Sequence, residues 1–354
     1  MRFPWKRGAS KDQLIVSWSG KALAFVRARA KADGAFLIQQ WGVERQGDDS
    51  LEAFAQRLQA MGLKGAKTHV MLRADQYQLL QIEAPAVAPE ELRSAARYQI
   101  RDMVNTHIDD IAMDVLRVGD GQQKAANQLF VVAATNAVVR EVLDLAQAMH
   151  WDVTVIDVQE TAQRNLQNAQ AVQAAKSDRA SALLMIAGDR QAVLTISAHD
   201  ELFFSRRLDL PEGFMSMQWA ANSEMAAPVI DAYTPVDEYV PAYSVGSAST
   251  GSDYAGAHAG LSDNDKAQRV LVEVQRSLDL WDRAWSNLPL SDVQVLAGER
   301  SAELAQWLSR EMGQSVTAMD LGGRFEGLQG LDTADQAYCA PLLGVLLRTE
   351  TRKL

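Results

Sequence analysis

Cysteine is almost missing from this chain. Cys339 is the one thiol in 354 residues, which excludes an internal disulfide and any multi-cysteine zinc site and fits a reducing compartment. Basic residues are in the minority, 35 Lys and Arg against 45 Asp and Glu, and the formal charge of −10 speaks against a broad nucleic-acid-binding surface. No apolar run approaches the ~20 residues that cross a bilayer. The opening Met1-Arg-Phe-Pro-Trp-Lys-Arg-Gly8 has no apolar stretch and no cleavage site, so it does not read as a secretory signal. Its Arg2, Trp5, Lys6 and Arg7 are residue types that touch anionic membrane surfaces, while a frayed terminus is the default. The expectation is a soluble cytosolic protein with no membrane span.

Catalytic signatures are equally scarce. Gly62-Leu-Lys-Gly-Ala-Lys-Thr68 lacks the Gly–Lys adjacency of a phosphate-binding loop and is followed by a strand pattern, so it reads as a helix stop and turn. Gly119-Asp-Gly121 joins two strand patterns and reads as a hairpin turn. The five histidines, His69, His107, His150, His199 and His258, are too far apart for a metal pair at helical or hairpin spacing. No Gly-x-Ser-x-Gly elbow occurs. Asp109-Asp110 and Asp263/Asp265 sit beside turn signals, where capping is the default role of a carboxylate. Cys339 opens an apolar closing helix and reads as a buried, inert thiol.

What is present is an ordered α/β chain, long enough for about two domains at roughly 150 residues each. Strand patterns at 14–18 and 22–28 form a hairpin, and Asp49-Ser-Leu-Glu52 suggests a capping box for a helix to Met61. Further strands are expected at 68–72, 78–82, 111–118, 128–134 and 153–158. Helices are expected after Pro89, from a cap at Asn136 to Met149, and from Glu160 to about Ala175, the last with few apolar residues. Strands at 182–186, 192–197 and 202–208 then repeat the opening layout, which suggests a duplication. From Ser244 to Gly260, 13 of 17 residues are Ser, Gly, Ala or Thr, and 234–262 is read as a disordered insertion. Helix 266–285 has its apolar stripe at Val270, Val274, Leu278, Trp281 and Trp285, and both tryptophans are assigned to the core. A strand at 293–296, a helix at 301–312, a short strand at 316–319 and a helix at 338–348 complete the reading.

Four stretches resemble the PilM family of type IV pilus assembly proteins, and within it the MSHA-biogenesis branch. They are Glu91-Leu-Arg-Ser-Ala-Ala-Arg-Tyr-Gln-Ile100 with Ile108-Asp-Asp-Ile-Ala-Met-Asp114; Trp151-Asp-Val-Thr-Val-Ile-Asp-Val158; Phe203-Phe-Ser-Arg-Arg207; and Val272-Glu-Val-Gln-Arg-Ser-Leu278, the most specific of the four. The resemblance covers nearly the whole chain outside 234–262. It implies an α/β, actin-like (FtsA/PilM-type) two-lobed fold with an inserted α/β subdomain. The implied division is 1–49 and 150–178 with the closing helix 338–354 for the first lobe, 50–149 for the inserted subdomain, and 179–233 with 263–337 for the second lobe.

The resemblance also implies a nucleotide cleft lined by three turns, and each departs from the family pattern. The first has Ser17 where an Asp belongs, followed by Ser19 and Gly20; the second has Met185 at the acid position, followed by Gly188; the third has Ala297-Gly298 in place of Gly-Gly. Loss of metal-organising carboxylates typically lowers metal affinity by ~10–100-fold. We therefore expect no catalytic or metal residues, no resident cofactor, and at most weak ATP–Mg binding. The implied role is a scaffold that grips the cytoplasmic N-terminus of a PilN-like single-pass inner-membrane protein among other pilus-platform proteins, with room for a homodimer. It would lie on the cytoplasmic face of the inner membrane through those partners. Glu91, Arg97 and Tyr98, on the helix that carries the resemblance, are the partner-contact candidates, against a default of a solvated helix face. An alternative is an active ATPase that uses Asp12, Asp157 or Asp189 as ligands. A self-associating FtsA-like filament protein is a further one, and it lacks an amphipathic anchor after Leu347.

Overall fold

The computed structural model describes residues 12–118, 128–188, 190–219 and 262–349, to which the structural statements refer. The opening hairpin is present as β1 (Asp12–Trp18) and β2 (Ala22–Ala30), paired antiparallel. Its turn contains Gly20 at φ +77°, a conformation that glycine reaches without Cβ strain. A third strand that the sequence reading misses, β3 (Phe36–Arg45), pairs antiparallel with β2. Next comes α1 (Leu51–Ala60), whose cap is Ser50, accepting from the Ala53 amide; Asp49 pairs with Arg57 at 2.8 Å. Phe54 of α1 stacks on Trp18 and fixes the helix on the sheet. Strands β4 (Lys67–Leu72) and, much later, β8 (Asp152–Val158) extend the sheet in parallel beside β1.

Between β4 and β8 lies a smaller unit. Strands β5 (Tyr77–Glu83), β6 (Ile111–Arg117) and β7 (Gln128–Thr135) form a separate antiparallel sheet in the order β5-β7-β6. Helix α2 (Leu92–Gln99) covers it with Leu92 and Ala96, and Ile100 continues the stripe. Helix α3 (Asn136–Met149) returns to the first lobe and packs on α1; its cap is Thr135, one residue before the expected Asn136. Gly119-Asp-Gly121 lies outside the described residues, as does the 234–262 insertion apart from Ser262.

The second lobe repeats the first. Strands β9 (Ala180–Ile186), β10 (Gln191–Ala198), β11 (Glu201–Asp209), β12 (Leu290–Leu296) and β13 (Val316–Ala318) are arranged β11-β10-β9-β12-β13, matching β3-β2-β1-β4-β8. This is the duplication that the sequence layout suggests. Helix α5 (Asp263–Ala284) starts on a capping box between Ser262 and Asp265, so that carboxylate caps as expected. Trp281 and Trp285 are buried, both edge-on to Phe203. Helix α6 (Ser301–Met312) connects β12 to β13.

The two halves exchange their last elements. Helix α4 (Gln159–Gln173) follows β8 and packs on β9 and β10, whereas α7 (Thr333–Leu346) comes after β13 and one further short strand and packs on β1, β2 and β3. The two helices pack on each other between the sheets, with Ile15, Val26, Leu183, Met185 and Leu343 in one shared core. In addition, β14 (Phe325–Glu326) adds in parallel to β3, so residues assigned to the second lobe complete the first sheet. The inserted unit is also narrower than 50–149, because β4 belongs to the six-stranded sheet and α1 and α3 share its core.

Candidate functional site

The turns that would line a cleft between the lobes are held by the chain's own side chains. Ser17, at the end of β1, is buried, and its hydroxyl has no partner among the described residues. Ser19 is exposed and its hydroxyl closes the hairpin turn, accepting from the Ala22 amide at 3.1 Å. The Glu141 carboxylate lies 3.3 Å from where a Cβ on Gly20 would be, so an acidic side chain from α3 stands beside the first turn. In the second turn Met185 is a buried core residue of β9. Gly188 lies beside the Arg73 guanidinium and the Tyr338 hydroxyl, each 3.9 Å from its would-be Cβ. Gly298, at φ +59°, begins the third turn; its carbonyl accepts from Ser301 Oγ at 2.6 Å, and Ser301 in turn caps the Ala297 amide. Arg300 turns away from that site and lies 3.8 Å from the centroid of Trp219 while donating to the Met217 carbonyl at 2.8 Å.

Of the carboxylates considered as substitute metal ligands, the two that are described, Asp12 and Asp157, are not brought together. Asp12 starts β1, six residues before Trp18 and therefore ~20 Å from the turn; it binds Arg29 at 2.7 Å. Asp157 is buried at the end of β8, where it accepts from Arg348 at 2.7 Å and from Thr161. Asp189 lies outside the described residues. His69 shares the Asp157 neighbourhood, and burial, with the charge of Arg348, lowers its pKa. Cys339 is fully buried, and burial pushes its thiol up to about 12, well away from a nucleophile.

A second constellation crosses the interior. Glu160, on the first turn of α4, is completely buried and accepts from the Tyr77 hydroxyl and from Arg207 of β11 at 3.2 Å. The Arg207 guanidinium lies 4.6 Å from the Tyr77 ring centroid and also donates to the Tyr77 carbonyl at 2.9 Å. Burial, followed by the Glu160 charge, raises the Tyr77 pKa well above 10, so the phenol stays protonated and serves as the donor. Tyr77 and Glu160 escape the sequence reading because a strand-initiating tyrosine and a first-turn glutamate look ordinary; the low apolar content of α4 was the one visible signal.

The two strongest resemblance motifs prove to be neighbours. Arg206 pairs with Glu273 of α5, Phe203 meets Trp281 and Trp285, and Ser277 Oγ donates to the Glu273 carbonyl at 2.6 Å. On α2 the three partner candidates separate. Glu91 is the exposed cap residue, and Tyr98 is 74% exposed with Arg101 over its ring. Arg97 instead donates to the carbonyls of Ile108 and Ile111 and pairs with Asp109 at 3.5 Å, which ties the turn before β6 to the helix.

Two lobes of matching strand order, joined by two crossed helices and carrying a small inserted sheet, define the actin-like fold. No known family profile and no curated protein matches the sequence. Among solved structures, the chain is similar to a chain of the PilM–PilN type IV pilus biogenesis complex, with TM-score 0.61, 16% identity, and coverage of 95% of this chain and 98% of that one. A protein of actin-like ATPase fold from Bacteroides thetaiotaomicron aligns with TM-score 0.46 and 7% identity, over 98% of this chain and 99% of that one. The cytoplasmic domain of EpsL, an inner-membrane component of the type II secretion system of Vibrio cholerae, aligns with TM-score 0.40 and 17% identity, over 62% of this chain and 79% of that one. No helix among the described residues is long and apolar enough to cross a membrane.

Proposed function

We propose that this chain is a cytoplasmic scaffold of a type IV pilus assembly platform, of the MSHA kind, which binds the cytoplasmic N-terminus of a PilN-like inner-membrane protein. The observation that carries the reading is the end-to-end likeness to a chain of the PilM–PilN complex. The inserted sheet with α2 is the natural docking element, with exposed Tyr98 and Glu91 as contacts and Arg97 as the residue that shapes their support. The cleft is degenerate in this reading: Ser17 and Met185, at the positions where the family pattern has an acid, supply no carboxylate. The partner supplies the attachment to the inner membrane.

Titration calorimetry of the full chain with the N-terminal cytoplasmic peptide of a PilN-like protein tests this directly. Saturable binding, equal with and without Mg-ATP, is the expected result. Binding only in the presence of Mg-ATP would restore the nucleotide-switch reading, and no binding under either condition would remove the PilN-type partner.

A further inference from the structure

We infer that residues 73–77 form an internal strut that holds the two lobes closed in place of a bound nucleotide. The inference rests on the reading of the cleft as degenerate and goes beyond the partner assignment. This segment connects β4 to β5, and three of its five side chains reach different walls of the cleft. Gln76 Nε2 donates to the Trp18 carbonyl at 2.7 Å, at the first-lobe hairpin turn. Arg73 Nη2 donates to the Ala187 carbonyl at 2.9 Å, at the second-lobe hairpin turn. The Arg73 guanidinium also lies 4.5 Å from the ring centroid of Tyr338 on α7. Tyr77 donates its hydroxyl to Glu160 of α4, and its carbonyl accepts from Arg207 of β11. Five consecutive residues therefore link both hairpin turns, both crossed helices and the outer strand of the second sheet.

The segment is itself braced. The Gln76 side-chain oxygen accepts from the Arg73 amide at 2.9 Å, so the two reaching side chains spring from one closed turn. In a nucleotide-bound cleft of this kind, phosphate oxygens accept from backbone N–H groups on both turns. Here the polarity is reversed: side-chain donors of the strut meet backbone carbonyls of the turns. A guanidinium that is hydrogen-bonded and stacked on an aromatic ring makes a strong, directional bolt. Because the strut runs straight into β5, the inserted sheet and the cleft are coupled with no ligand between them.

The test uses the full chain, with amide hydrogen exchange and small-angle scattering recorded with and without Mg-ATP. The wild type is expected to be closed and protected without nucleotide. Arg73→Gln combined with Gln76→Ala should speed exchange at Ala187, Gly188 and residues 159–163 by about tenfold or more and enlarge the radius of gyration, with no recovery on adding Mg-ATP. If that variant fails to fold, Arg73→Lys keeps the charge but loses the planar stacking group, and the same amides are read. Wild-type protection that requires Mg-ATP, or a folded variant whose exchange is unchanged, would overturn the strut. The peptide titration separates the two ideas: binding by a chain whose cleft is unprotected removes the strut alone, and a protected cleft without peptide binding removes the partner assignment alone.

Discussion

Helices α4 and α7 occupy equivalent places in the repeat, each following the last parallel strand of its lobe and each wedged between the two sheets, yet their compositions are opposite. In α4 nine consecutive residues, Gln159 to Gln167, are buried, and most are polar or charged. In α7 the buried residues include Cys339, Ala340, Leu342, Leu343 and Val345. A polar helix survives in this position because its side chains complete each other and the neighbouring sheet. Gln163 Nε2 donates to the Val193 carbonyl at 3.1 Å, Gln167 Nε2 donates to the Ser181 carbonyl at 2.6 Å, and Gln167 Oε1 accepts from Thr195 at 2.8 Å and Ser197 at 3.0 Å. Buried polar groups are tolerated when every donor and acceptor is matched, and they then fix one geometry. The lesson is that burial and apolarity are separable even in neighbouring helices of one core.

The largest way to break this pairing is at the crossing point. A Cβ on Gly344 would lie 2.0 Å from the Ala162 carbonyl oxygen, a backbone atom that cannot swing aside. Gly344→Val should therefore cost about 3 kcal/mol or more, at the upper end of overpacking effects, and chemical denaturation will measure it. A midpoint near that of the wild type would mean that the helices do not cross so closely.

Gln167→Leu sharpens the contrast by making α4 resemble α7. It removes the acceptor for two buried hydroxyls, Thr195 and Ser197, and should destabilise by roughly 1–3 kcal/mol despite the gain in apolar surface. An increase in stability would show that the polar network is retained for something other than folding.

The smallest effect concerns α7 alone. The Cys339 thiol rises from 9.0 to about 12 on burial. The folded chain thus holds a proton that the unfolded chain releases. The associated stability is complete below about pH 9 and is lost as pH climbs toward 12. At pH 8 the thiol should resist alkylation in the folded protein and react once urea exposes it; rapid labelling without denaturant would contradict the burial.

Much of this fold is legible in the sequence where periodicity is strong, and the misses have local causes. Strand β3 hides because its alternation breaks in the middle: Arg27 faces Gln40 while Ala28 faces Ile38, leaving Gln39 without an opposite residue. Strand β14 is two residues long and offers no period at all. The cap of α3 falls on Thr135 where the pattern favoured Asn136, because either residue type can accept an amide and only the backbone decides. The β1–β2 and β9–β10 turns are visible as Ser19-Gly20 and as the turn at Gly188, but the side chains that reach them come from Arg73, Gln76 and Glu141, distant in sequence and unremarkable in type. A local pattern records a chain's own turns and is silent on what another segment brings to them.

The exchanged ends also set an order of events during synthesis. The first sheet is finished by β14 and roofed by α7, both made only after residue 325 has left the ribosome. Until then the nascent first half exposes the face that Phe36, Ile38 and Ala28 later bury. A chain halted before that point carries an uncovered, aggregation-prone surface, so a premature stop between Phe325 and Leu342, which removes all or the buried end of α7, would disable the half of the molecule that was translated first.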